Sequence, residues 1–283
     1  MVKIISDSTC DLSKDLLDKY DVSILPLHVV LGEKECEDGC EISPEEIYRW
    51  SDENGITPKT SAPALDRTIE LLKPFLEEGR EVVCFSISED MSTTANVMRL
   101  AAEELNKSQL VKVIDSANLS TGIGLLVIEA AIMAQEGKSA QEVAGKIEEL
   151  KPLVRSSFVV DTLTYLHRGG RCSGLAALAG GVLKLHPKIV VEDGKMKPSK
   201  KYRGKIDKVI LDYVKDMEND LKNAKKDRVF ITHSGCDNET IEMVRAYLQG
   251  LNIFDEILVT RAGGVISSHC GPGTLGVLFI AKS

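Results

Sequence analysis

Aromatic residues make up only 5% of this chain, with a single Trp, and 35 basic residues face 43 acidic ones for a formal net charge of −8. The first shortage excludes the stacking platforms of single-strand nucleic-acid binders. The second, with no pooled basic patch, excludes a phosphate-backbone footprint, so nucleic acid is not an expected partner. No apolar run reaches the roughly 20 residues of a membrane span, and MVKIISDS turns polar too early for a signal peptide. Seven cysteines, an odd number scattered through apolar surroundings, do not read as a disulfide framework, and a reducing, cytoplasmic location is expected. Cys36 and Cys40 form CEDGC, but no His or Cys pair at ligand spacing accompanies them. No metal and no cofactor is therefore expected, and the acidic turn reads as a solvated loop. The chain also lacks a GxSxG elbow, a low-complexity segment and a long-period repeat.

What is present is 283 residues, 43% hydrophobic and 28% charged, enough for two domains with real cores. Strand-like runs at Val2 to Ser6, Val22 to Leu31, Val82 to Ser88 and Val111 to Ile114 alternate with amphipathic helical spacing at Leu65 to Leu76 and Met98 to Leu105. Ser139 and Glu142 stand in capping-box register ahead of a further helix. Gly122 to Ala134 carries only Glu129 as a charge, so that helix must be buried almost all round. Leu175 to Leu185 is apolar too, and its Ala and Gly residues would leave room beside it for an alkyl chain. The pattern changes near Lys151 to Ser157. Beyond it come a strand at Phe158 to Asp161, a helix start at Leu163 to His167 and a hairpin over Lys188 to Tyr202 turning at Glu192, Asp193 and Gly194. A long charged helix around Lys205 to Ala224, a strand at Val229 to Thr232 and a helix at Asn238 to Leu248 follow, and strands at Ile257 to Thr260, Val265 to Ser268 and Leu275 to Ala281 close the chain. The expected fold class is α/β: residues 1–155 with a mainly parallel sheet flanked by helices, residues 156–283 with a mixed or antiparallel sheet packed by helices.

Polar groups collect at turns. TPKTSAPA places Thr60 and Ser61 between prolines and ahead of a helix, where hydroxyls and unpaired N–H groups could cradle an anion, or simply cap the helix. Ser92, Thr93 and Thr94 follow a strand in an α/β sheet, the position where such sheets bind ligands, though Ser92 could equally be a cap. In the loop Ser116 to Thr121 the capping role is favoured. HRGGRCSG brings Arg168 and Arg171 together with glycines, either an anion-binding turn or a solvated helix stop. His28 and His186 read as structural, His233 is open, and His269 stands out in HCGPG.

Taken in order along the chain, SDSTCDL, the TSAP run, EDMSTTA, VIDSANLSTGIG, FVVDTLTYLHRGGR, DGKMKPSKKYR and HCGPGTLG resemble the DegV family, bacterial fatty-acid-binding proteins that include the lipid-binding subunits of fatty acid kinase. The resemblance implies two α/β domains with one long-chain fatty acid between them, its carboxylate held by Thr60, Ser61 and Ser92 with His269 nearby. It implies that Arg171, Arg203 and His269 support phosphoryl transfer, the two arginines alternatively docking a partner kinase, the protein itself not being a stand-alone enzyme. Relatives commonly read LSGTY where this chain has Met91 to Ala95, so Thr93 replaces a glycine that tolerates positive φ and Ala95 replaces a tyrosine. Two other readings remain at this level. Ser92 or Ser61 could be the nucleophile of a serine hydrolase with His269 as base, and the HRGGR turn could hold a small phosphate ligand.

Overall fold

The computed structural model describes residues 1–172 and 185–283. The apolar segment expected to leave room for an alkyl chain, 175–185, lies outside these residues except for its last position. Among the described residues thirteen strands form three sheets. The first is wholly parallel, in the order β2 (Val22–Leu25), β1 (Lys3–Asp7), β6 (Val82–Ser86), β7 (Val111–Asp115). A small antiparallel sheet sets β3 (His28–Leu31) between β4 (Lys34–Glu37) and β5 (Lys59–Ser61). The third has six strands: β10 (Lys195–Arg203), β9 (Leu185–Glu192), β8 (Val154–Val159), β13 (Leu275–Ala281), β11 (Ala224–His233) and β12 (Glu256–Arg261). It is mixed, since β11 and β12 run parallel and the other neighbours antiparallel. Chain position 155, where the sequence pattern changes, falls inside β8.

Helix Thr121–Gln135 sits between the parallel and the six-stranded sheets, touching β1 and β6 on one side and β8 and β13 on the other. That position explains its composition. A helix covered on both faces has no use for a polar stripe, and Ile123, Leu126, Val127 and Ile128 are all fully buried. Its one charge, Glu129, is matched by Arg228 at close range and by Lys225 at 3.5 Å. Helix Ala140–Leu150 begins with the anticipated capping box, Ser139 and Glu142 bonding reciprocally.

Several boundaries differ from the sequence expectation. The run Val22 to Leu31 is two strands in two sheets, broken at Pro26, which has no N–H for a ladder. The strand expected from Phe158 lies earlier, at β8, and the long helix after Lys205 divides at Met217 into Ile206–Asp216 and Glu218–Lys222. Val265 to Ser268 is not a strand: it belongs to helix Gly264–Cys270. At the outer rim, β10 carries Pro198 and a shift of register between Pro198 and Lys201.

Leu126 is completely enclosed, whereas Leu100 is 49% exposed. Leu126→Ala is expected to lower unfolding free energy by about 2–5 kcal/mol. Leu100→Ala should change it by less than about 0.5 kcal/mol, both read from urea midpoints at constant slope.

Candidate functional site

Helix Gly264–Cys270 is short, and its two opening glycines meet two carboxylates from distant segments. Gly263 N–H donates to Asp11 Oδ1 at 2.8 Å and Gly264 N–H to Asp38 Oδ1 at 2.6 Å. A Cβ on Gly264 would lie 2.8 Å from that Asp38 oxygen, so only glycine allows the approach. Asp38 also accepts Ser8 Oγ at 2.8 Å, and Asp11 accepts Ser120 Oγ at 2.5 Å. Carboxyl oxygens at a helix N-terminus satisfy its free donors, which favours a helix over this β-branched pair of residues. The acidic turn of CEDGC is thus not a solvated loop, because Asp38 is only 2% exposed. Ser120 likewise makes no side-chain cap of the helix it precedes, its hydroxyl being drawn to Asp11.

The far end of this helix brings His269 to β5. Thr60 Oγ1 and His269 Nε2 are 2.8 Å apart, while His269 Nδ1 is buried with no hydrogen-bond partner. Gly169 lies against that nitrogen, and a Cβ there would collide with the ring. Burial, then the charge of Arg171, lowers the His269 pKa to about 4, so the imidazole is neutral at ordinary pH. It can therefore act on an anion by hydrogen bonding, while net positive charge must come from Arg171.

Thr60, Ser61, Ser92, Arg171 and His269 all line one cavity of about 460 Å³. Its other walls are largely apolar and include Leu27, Ile87, Leu119 and Ile266. The hydroxyls reach it by a different route from the one expected. Thr60 and Ser61 are on a strand, not at a helix start, and helix Leu65–Glu77 has Ala64 at its cap position. Alternation along β5 sends their side chains apart, and Ser61 Oγ donates to Glu35 Oε1 at 3.3 Å. Ser92 does not cap the next helix either, because its Oγ lies 2.8 Å from Thr94 Oγ1. Thr93 has φ −87°, so the loop needs no left-handed residue where relatives carry glycine. Glu89, the acidic member of the lining, is bonded to Arg99 at 2.5 Å.

Arg203 stands apart. It ends β10, exposed, and is not among the cavity-lining residues. His28 supports the site from behind, its Nδ1 lying 3.4 Å from the Ala62 carbonyl. His186 places its ring nitrogens 3.3 and 3.1 Å from the Val160 and Gly204 carbonyls. His233 ends β11, and burial followed by the charge of Arg261 lowers its pKa to about 4. Beyond the cavity lies a small void of about 20 Å³ walled by Phe158, Gly276 and Leu278 among others. Leu119, Ile266 and Cys270 border both spaces.

Sequence reasoning passed over Asp11 and Asp38, which hold the His269 helix in place. The signal available was GG at 263–264 ahead of an apolar run, together with acids in SDSTCD and CEDGC, but nothing in the spacing joins those segments.

Along its mostly apolar wall the cavity carries hydroxyls, a neutral imidazole and an arginine. Comparison with known proteins identifies the family. A family model described as "Uncharacterised protein, DegV family COG1307" matches residues 1–282, and the chain belongs to the DegV family. A DegV domain-containing protein of Clostridium acetobutylicum is 31% identical over 283 residues, covering 99% of each chain. Among solved structures, one of a DegV family protein from Thermus thermophilus, described for its fatty acid binding, superposes with a TM-score of 0.90 at 31% identity, covering 99% of each chain. A stearic acid-binding protein from Eubacterium ventriosum gives 0.86 at 31% identity, covering 100% of this chain and 99% of that one.

Three buried carboxyls make stability depend on pH. Burial is the first cause in each case, raising Asp7 to about 6, Asp11 to about 8, and Asp38 above its ordinary value. A raised folded-state pKa means stability present below the unfolded value near 3.8 and lost as pH rises toward 8. His269 and His233 act oppositely, losing stability as pH falls from 6.5 toward 4. In thermal melts across pH 5 to 8, the difference between wild type and Asp11→Asn isolates the contribution of Asp11. The variant is expected to gain relative to wild type as pH rises, and parallel curves would refute the shift.

Proposed function

We propose that this protein binds a long-chain fatty acid, with the carboxylate at the Thr60–His269 end of the cavity and the alkyl chain along its apolar walls. The observation that carries the reading is the pairing of Thr60 and His269 inside a cavity otherwise lined mainly by aliphatic side chains. Each buried methylene contributes about 0.8 kcal/mol, so a tail of roughly 16 carbons contributes on the order of 10 kcal/mol before ordering costs. A carboxylate cannot enter such a space unpaired. The hydroxyls of Thr60 and Ser92 can donate to it, Ser61 can do so by leaving Glu35, and Arg171 supplies charge. The solved relatives described as fatty-acid-binding, at 31% identity, support the same reading.

The finer function is presentation of the bound acid to a kinase. A carboxylate oxygen would attack the γ-phosphorus of ATP held by the partner, giving an acyl phosphate and releasing ADP. Arg171, exposed beside the cavity, is suited to offset charge on the transferring group, and Arg203 is assigned to partner docking because it lies away from the cavity. The hydrolase reading draws less support. Among the described residues His269 Nε2 pairs with Thr60, and Ser92 pairs with Thr94.

Organic extraction of the purified protein followed by mass spectrometry is expected to yield long-chain acids, and a protein that neither retains nor takes up any would refute the binding role. Thr60→Val removes one hydrogen bond to a charged group and should weaken binding about 10- to 100-fold. Because Thr60 and His269 form one unit, the double variant Thr60→Val/His269→Ala is expected to lose less than the sum of the singles in titration calorimetry. With ATP and the cognate kinase, acyl phosphate should accumulate, and Arg171→Ala should slow its formation more than it weakens acid binding.

A further inference from the structure

Leu119, Ile266 and Cys270 belong to the walls of both the cavity and the void of about 20 Å³, room for about one water-sized group, so they form the partition between them, here called the neck. The two sides of this neck come from different parts of the chain. Leu119 precedes helix Thr121–Gln135, and Ile266 and Cys270 lie on helix Gly264–Cys270. Asp11 touches both sides. One of its oxygens accepts Ser120 Oγ at 2.5 Å, beside Leu119, and the other accepts Gly263 N–H at 2.8 Å, where the second helix begins. Ser120 has φ 54° and ψ −145°, a conformation that residues other than glycine scarcely populate. Such a backbone persists only where its surroundings over-determine it. Asp11 itself is buried, at 6% exposure.

We propose that Asp11 is a specificity-determining positioning residue: by bonding Ser120 with one oxygen and Gly263 with the other, it sets the width of the neck and hence how far an alkyl chain passes into the interior. This rests on the fatty-acid reading above and adds a length filter to it. Each methylene admitted to an apolar space multiplies affinity about fourfold, so a neck that halts the chain limits how much a longer acid can gain. Removing the clamp frees both walls together and lets longer chains go deeper.

The test is competition between myristic and stearic acids for the delipidated full-length protein, read as the ratio of their dissociation constants. Asp11→Ala, which removes both bonds, is expected to shift the ratio toward stearic acid by about fourfold, the gain from roughly one more buried methylene. Asp11→Asn keeps an acceptor for Gly263 and a partner for Ser120, and should return the ratio to within about twofold of wild type. Ser120→Gly relieves the backbone strain and removes one of the two bonds, so it should shift the ratio in the same direction by a smaller factor. If Asp11→Ala does not fold, Ser120→Gly decides alone. Variants that bind both acids with an unchanged ratio, or lose both equally, overturn the length filter and leave fatty-acid binding standing. Failure of the wild type to bind either acid overturns both.

Discussion

The arrangement depends on two carboxyl groups held away from water against the start of one short helix. Asp11 and Asp38 each take a backbone N–H from Gly263 and Gly264, and through Ser8 and Ser120 they reach back to the loop after β1 and to the start of the central helix. Among the described residues their close partners are Ser8, Ser120, Gly263 and Gly264, so hydrogen bonds replace the lost hydration. Such a network is demanding, since every member needs its partner. In return it fixes the direction of a seven-residue helix too short to hold itself, and with it the side of His269 that meets Thr60.

Much of the fold was legible because local and global preferences agree. The helix Thr121–Gln135 announced its position between two layers by having no polar face, Ser139 and Glu142 marked a helix start, and Asp193–Gly194 marked the hairpin between β9 and β10. The failures have a shared cause. Val265 and Ile266 favour strand by β-branching, and only the carboxylates arriving from positions 11 and 38 reverse that preference. Thr60 and Ser61 resembled a helix cap, yet pairing with β3 claimed them as strand, and strand alternation then separated their hydroxyls. Residue types at the cavity could be read from the sequence, whereas the directions in which they point could not.

The departure from LSGTY is accommodated without strain at its most conspicuous position. Thr93 adopts an ordinary φ, and Ala95 is fully enclosed. Where a tyrosine would bring a ring, this chain brings a methyl, so the volume near Ser92 is shaped by neighbours such as Met91, a flexible side chain able to adapt to different contents. The sequence of this loop therefore bears on the shape of the compartment more than on its ability to form.

Among the described residues β10 is the outermost strand of the six-stranded sheet; Cys172 bridges to its Met196, Pro198 interrupts the N–H row, the register slips before Lys201, and Lys195, Lys197 and Lys200 pair with Asp90, Glu192 and Asp216. A long uninterrupted sheet edge would invite a foreign strand to zip onto it. The missing donor at Pro198 and the shifted register oppose that route. A strand laid on this flank would find its ladder broken at Pro198 and again at the register shift, so neither half offers a long continuous row of donors and acceptors.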